Sequence, residues 1–176
     1  VLQMPTCDGN QVIVIGGGVL GLLSAYQLAM GGLQVTLLDR QVVGQESSWA
    51  GGGIVSPLYP WRYNPAVGAL AEWSQAFYPG LGERLLASTG IDPQVYVSGL
   101  YWLDLPDEAA ALAWAEREGR ELLAPDMAQV REHVPALGDD FTRALYMPGV
   151  ANVRNPRLVK ALRAELQGLA NVRLVE

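Results

Sequence analysis

Residues 12–39 read VIVIGGGVLGLLSAYQLAMGGLQVTLLD, and the reading of this stretch decides the fold. Val12–Ile15 is apolar and β-branched throughout, which predicts a strand covered on both faces, as in a parallel sheet. Gly16-Gly17-Gly18 stops it. Val19–Met30 is rich in Leu and Ala and predicts a helix that ends at Gly31-Gly32. Val35–Leu38 predicts a second apolar strand, closed by Asp39. Strand, helix and strand in about thirty residues form one βαβ unit.

The glycines of this unit fall as Gly16-x-Gly18-x-x-Gly21, directly after a strand and at the opening of a helix. An acid, Asp39, stands about 20 residues on, at the end of the next strand. Each part has a physical task in a dinucleotide fingerprint. Gly16 permits the tight turn, Gly18 lets the backbone approach a pyrophosphate, and Gly21 lets the helix pack close to the strand. The helix N-terminus offers unpaired N–H groups and partial positive charge to an anion. Asp39 is placed to accept hydrogen bonds from ribose hydroxyls. Arg40 has two open readings, stacking on adenine or facing solvent. Asp39 would repel a 2′-phosphate, so NAD or FAD is expected rather than NADP.

Working outward, Gln41–Pro65 shows little regular pattern and reads as a long loop, of the kind that is usually functional or mobile. Inside it lies Ser47-Ser48-Trp49-Ala50-Gly51-Gly52-Gly53-Ile54. Small side chains let a flat ring and a phosphate lie against the backbone, and serine hydroxyls can donate to phosphate oxygens. A plain NAD domain has no need of such a segment. Further along, Leu70, Trp73, Phe77, Leu81, Leu85 and Leu86 recur at helical spacing and predict a helix from Ala66 to Thr89, with Pro79 and Gly82 as points of bending. Two short strands are expected in Val95–Leu105, around Ser98-Gly99. A helix should open at Pro106-Asp107-Glu108, with acids favourable in its first turn. A strand at Glu121–Leu123, a helix over Pro125–Val134 and a strand at Ala144–Met147 follow. Asn155-Pro156 opens a helix to about Gly168, and Val172–Val175 is a last strand.

Composition sets the outer limits. Half of the 176 residues are hydrophobic and 17% charged, which is globular and not disordered. The formal charge of −6 and the absence of any basic stripe exclude nucleic acid as an expected partner. Cys7 and His133 are the only Cys and His, so a Cys/His metal site is not expected. His133 reads as an exposed or core-edge residue. The N-terminal VLQMPTCDGN lacks the pattern of a signal peptide. The apolar run Val12–Leu33 is interrupted by glycines, Ser24 and Gln27, so it is not expected to cross a membrane. The expected compartment is cytoplasmic.

The segments VIVIGGGVLGLLSAYQLA, LLDR and ESSWAGGGIVSP resemble the N-terminal half of the FAD-dependent amino-acid oxidases of the D-amino-acid oxidase family. ALAEWSQAFYPGLGERLLASTGID, VSGLYWL and MPGVANVRNPRLVKALRAEL are most similar to its glycine oxidase branch, known from thiamine biosynthesis. D-amino-acid dehydrogenases and sarcosine oxidases share the opening. The resemblance implies an α/β, Rossmann-like FAD-binding domain of the glutathione-reductase type, carrying part of an inserted β-rich substrate domain. On that expectation residues 11–90 and 151–176 belong to the FAD domain and 91–150 to the substrate domain.

The resemblance also assigns residues. Gly16, Gly18, Val19, Leu20 and Gly21 would lie along the FAD pyrophosphate, and Asp39 on the adenosine ribose with Arg40 beside it. Ser47 and Ser48 would meet the phosphates, and Gly52, Gly53 and Ile54 the flavin ring. The family often has Ala at one or two of the positions of Gly51 and Gly52. The implied reaction is oxidative deamination of glycine, sarcosine or a D-amino acid. In the family the residues that grip the substrate come from a second half, so no catalytic residue is assigned here. The expectation is an N-terminal fragment, or one chain of a split protein, in which strand 12–15 needs a neighbour from the missing C-terminal half; a homo-oligomer is compatible. Three alternatives stay open: a D-amino-acid dehydrogenase passing electrons to an acceptor other than oxygen, a non-catalytic FAD- or NAD-binding module, and an NAD-dependent dehydrogenase. Tyr59, Trp61, Arg62 and Tyr63 either line a substrate entrance or pack a surface loop. Trp114 is expected to pack its helix on a sheet.

Overall fold

The structure is a computed structural model that describes residues 9–176; Cys7 lies outside them. The elements in chain order are β1 (Gln11–Ile15), α1 (Val19–Met30), β2 (Gln34–Leu38), α2 (Ser47–Ala50), β3 (Ile54–Val55), a 3-10 turn (Pro60–Arg62), α3 (Pro65–Thr89), β4 (Tyr96–Val97), β5 (Leu100–Leu103), α4 (Glu108–Arg117), α5 (Met127–His133), β6 (Ala144–Met147), β7 (Ala151–Asn152), α6 (Asn155–Gly168) and β8 (Val172–Val175). They form two compact units. One comprises the residues up to Gly53, Gly80–Val95 and Val153–Glu176; the other comprises Ile54–Pro79 and Tyr96–Asn152. The division between these units runs through α3 at Pro79 and after Gly53.

The first unit is an α/β layer built on a parallel sheet of order β1-β2-β8. Val12 pairs with Val35 and Val14 with Leu37, while Val35 and Leu37 face Val172 and Leu174 on the other side. β2 is central and alternates strictly, with Val35 and Leu37 fully buried. Helices α1 and α6 pack against each other and against this sheet. Leu22, Ala25, Tyr26 and Ala29 of α1 and Leu158, Ala161, Leu162 and Leu166 of α6 supply the core. Asn171 closes the layer's far end, its side-chain amide donating to the carbonyls of Ala29 (2.8 Å) and Leu33 (2.9 Å).

The expectation of a strand covered on both faces is corrected. Ile13 is 65% and Ile15 85% exposed. Because α1 and α6 touch each other, they lie on the same side and shelter only the face of Val12 and Val14. The opposite face of β1 carries bare isoleucine, and among the described residues β1 has β2 as its single neighbour.

The second unit is antiparallel. β7 pairs with both β3 and β4, and β5 pairs with β6. Its core gathers Trp102, Ala111, Leu145, Met147 and Val150. The segment expected to be an irregular loop, 41–65, contains α2, β3 and the 3-10 turn, each too short to leave a periodic signal. Trp61 of that turn packs edge-on against Trp102 at 5.3 Å, and Trp114 stands 6.3 Å from Trp61. Asp107 holds the turn down by accepting from Trp61 Nε1 (2.8 Å), Arg62 Nε (2.8 Å) and Arg62 Nη2 (2.7 Å). Arg62 lies 4.1 Å over the Tyr59 ring. Tyr59, Trp61 and Arg62 thus form a packed aromatic bracket, while Tyr63 is half exposed; Trp114 packs on the turn as well as on the core. The strand expected at 121–123 is reduced to one bridge from Leu123 to Tyr146. His133 is exposed, its Nδ1 2.9 Å from the Tyr101 hydroxyl.

Candidate dinucleotide-binding site

The carboxyl ends of β1 and β2 meet at the glycine turn. Gly16 sits at φ +100°, in the left-handed region that favours glycine, and its N–H donates to the Leu38 carbonyl at 2.8 Å. The turn is therefore stitched to the end of β2. Gly21 is the point of closest packing: a Cβ there would stand 1.8 Å from the Gly16 carbonyl oxygen. Gly17, not singled out from the sequence, is equally constrained. A Cβ on it would strike Val43 at 2.3 Å, and its N–H donates to Asp39 Oδ2 at 2.6 Å. The signal was the middle glycine of a run of three.

Asp39 does more than close the strand. Besides Gly17 it accepts from the N–H of Gln41 at 3.0 Å. Those two backbone donors, Gly17 first, hold its carboxyl below the usual aspartate range. It is an ionised acid, locked to the glycine turn, with capacity left for further donors.

Ser48 reaches across to the helix. Its Oγ accepts from the N–H of Val19, the first residue of α1, at 2.8 Å. As an acceptor it keeps its own proton free to donate. The N–H groups of Leu20 and Gly21 have no acceptor among the described residues, as expected for a helix start. A Cβ on Gly18 would meet only Ser48 Oγ, at a tight 3.2 Å. Ser47 is exposed at the start of α2.

The second glycine run is shaped by the return of the chain. Gly53 is at φ +75°, and a Cβ on it would stand 2.1 Å from the Val153 carbonyl oxygen. Its own carbonyl accepts from the Val153 N–H at 2.8 Å. At Gly51 a Cβ would meet Asn155 Nδ2 at 2.4 Å. A Cβ on Gly52 would meet nothing within 4 Å. Ile54, the first residue of β3, belongs to the second unit.

A groove of about 470 Å³ lies beyond the strand ends, lined by Ile15, Gly16, Leu38, Asp39, Arg40 and Glu46. Ligands of open α/β sheets bind in such a crevice, outside the carboxyl ends of the strands. Glu46 is a further residue that sequence reasoning missed. It pairs with Arg40 at 2.8 Å, and nothing in its spacing from Arg40 announced this. The site holds an apolar floor, a fixed acid, a charged rim and a helix N-terminus with free donors. That combination fits a nucleotide joined to a diphosphate. Among the described residues no group of His, Cys, Asp and Glu is placed to hold a metal ion, and no helix is long and apolar enough to cross a membrane.

The parallel sheet, the glycine turn and the acid that clamps it define a dinucleotide-binding fold of the Rossmann-like type. The particular family follows from comparison: residues 11–176 match the family DAO, described as FAD dependent oxidoreductase, and the chain belongs to it. A glycine oxidase of Pseudomonas putida is 66% identical over 167 residues, covering 95% of this chain and 46% of that protein. A D-amino acid dehydrogenase of a Methylobacterium species is 56% identical over 54 residues, 29% of this chain and 13% of that protein. The crystal structure of glycine oxidase from Bacillus cereus superposes with a TM-score of 0.83 at 29% identity, covering 95% of this chain and 46% of that one. The chain thus spans about half the length of the glycine oxidases it matches.

Proposed function

We propose that this chain supplies the FAD-binding part of an enzyme that oxidatively deaminates a small amino acid or amine, glycine first. The observation that carries the reading is the clamp of Asp39 onto the glycine turn, beside a helix start where the N–H groups of Leu20 and Gly21 remain free among the described residues. It is supported by a glycine oxidase likeness that runs over 95% of the chain, where the likeness to two D-amino acid dehydrogenases covers 29% and 49%.

In this reading Gly16, Gly18, Val19, Leu20 and Gly21 present their backbone to the diphosphate, with the Ser48 hydroxyl donating beside them and Ser47 next to it. Asp39 accepts from the ribose while keeping its bond to Gly17, with Arg40 beside the adenosine. Gly52, Gly53 and Ile54 back the ring, on the resemblance alone. FAD, when bound, supplies the acceptor for a hydride from the α-carbon of the amine. The work of these residues is to hold the diphosphate, fix the ribose and exclude water from the strand ends. The bare Ile13 and Ile15 face calls for an apolar cover. We assign that cover to polypeptide matching the rest of the relatives' length, where the substrate-gripping residues also belong.

The test uses the complete gene product. It should purify yellow, release FAD on heating, and bleach on anaerobic addition of glycine, sarcosine or a D-amino acid. Aerobic turnover should release peroxide; dye reduction without peroxide would favour the dehydrogenase. A protein that no amine bleaches would sink the reading.

A further inference from the structure

The Arg40–Glu46 pair lines the groove at the ends of β1 and β2 together with the apolar Ile15 and Leu38. Arg40 Nη2 and Glu46 Oε1 are 2.8 Å apart, and both side chains are more than half exposed. An exposed arginine ordinarily samples many rotamers, so one held in a single place over a groove needs a tether. The Glu46 backbone is fixed, because its carbonyl accepts from the N–H groups of Trp49 (3.0 Å) and Ala50 (3.3 Å) at the first turn of α2. One Glu46 carboxylate oxygen is spent on Arg40; the other has no partner among the described residues. Nothing in the glycine turn needs this pair: Gly17 is held by Asp39, and Val19 by Ser48.

Resting on the cofactor reading above, we infer that Glu46 is a positioning residue that holds the Arg40 guanidinium as a lid plate over the adenosine half of the cofactor. The base then lies between Ile15 and Leu38 below and a flat cation above, the arrangement in which guanidinium stacks on a ring. The pair acts on the adenosine half alone, so it selects ligands that carry adenosine and is indifferent to the flavin end.

The experiment takes the complete apoprotein, titrates FAD by quenching of flavin fluorescence, and displaces it with ADP. At low salt Glu46→Gln should weaken FAD and ADP by the same factor, about two- to fivefold, the scale of an exposed ion pair. High salt should erase the difference. Unchanged FAD affinity in Glu46→Gln, or loss for FAD without loss for ADP, would each overturn the inference and leave the cofactor reading intact. Wild-type protein that binds neither FAD nor ADP would overturn both.

Discussion

Gly21→Ala adds one methyl group where the helix meets the turn. Its Cβ would stand 1.8 Å from the Gly16 carbonyl oxygen and 3.0 Å from the Gly16 carbonyl carbon. The oxygen belongs to backbone, so no rotamer change can relieve the clash. Gly16 cannot retreat either, because its N–H is bonded to Leu38 at 2.8 Å. Helix α1 must move away by more than 1 Å, dragging Leu22, Ala25 and Tyr26 out of fully packed positions. Overpacking of this kind costs about 1–3 kcal/mol, and a rigid backbone neighbour argues for the upper end. Alanine returns about 1 kcal/mol in helix propensity. The net is a loss of about 2 kcal/mol, or about 4–8 °C in Tm for a chain of this size. Gly68→Ala is the control: it lies in α3 with nothing within 4 Å of the added Cβ, so only the propensity gain applies and Tm should rise slightly. Thermal unfolding followed by circular dichroism reads both. A Gly21→Ala protein as stable as Gly68→Ala would refute the close approach of α1 to the turn.

Further outcomes follow from the same site. Gly18→Val should give a colourless protein, since a branched side chain beside Ser48 blocks the backbone path proposed for the diphosphate; stoichiometric flavin in that variant would move the site elsewhere. Asp39→Asn should weaken FAD about tenfold to a hundredfold, the scale of hydrogen bonds to a charged group, as read by equilibrium titration. The pH dependence has a definite sign. Asp39 titrates below the ordinary 3.8 when folded, so its stabilisation is complete above 3.8 and is lost as pH falls through the lower folded value. The Tm gap between wild type and Asp39→Asn should therefore be widest near neutrality and close in strong acid. Asp107 is likewise held low, by Arg62 first and Trp61 second. Asp107→Asn should expose the 3-10 turn, seen as faster proteolytic cutting between residues 57 and 63; an unchanged cutting rate would show that the aromatic contacts alone hold it.

The βαβ unit was legible because its signals are local: an apolar run, three glycines, a Leu/Ala helix and an acid in sequence order. The helix from Asn155 to Gly168 was legible for the same reason. The two-residue strands β3 and β7 were not, since two residues carry no period and their pairing spans distant segments; β4 was, because Ser98-Gly99 marks the turn between it and β5. Spacing located α3 but not its burial: Leu81 and Leu85 are buried, whereas Leu70 and Trp73 of the same pattern are largely exposed. The bare face of β1 escaped because an apolar strand reads alike whether one side or both are covered. At the site, glycine positions and Asp39 were readable from spacing; Glu46, Gly17 and Asn155 were not, because their partners are set by how three separate turns converge.

The return of the chain at Val153 carries a consequence for biosynthesis. Gly53 is locked by Val153, Gly51 is overlain by Asn155, and β2 gains its second neighbour only at Val172–Val175. A nascent chain emerging from the ribosome has made the whole glycine-rich platform long before the segments that shape it exist. Such distant pairings slow folding and leave intermediates open to association. The nucleotide platform should therefore ripen only once residues 153–175 have been made, and chains stalled before residue 153 should depend on chaperones to stay dispersed.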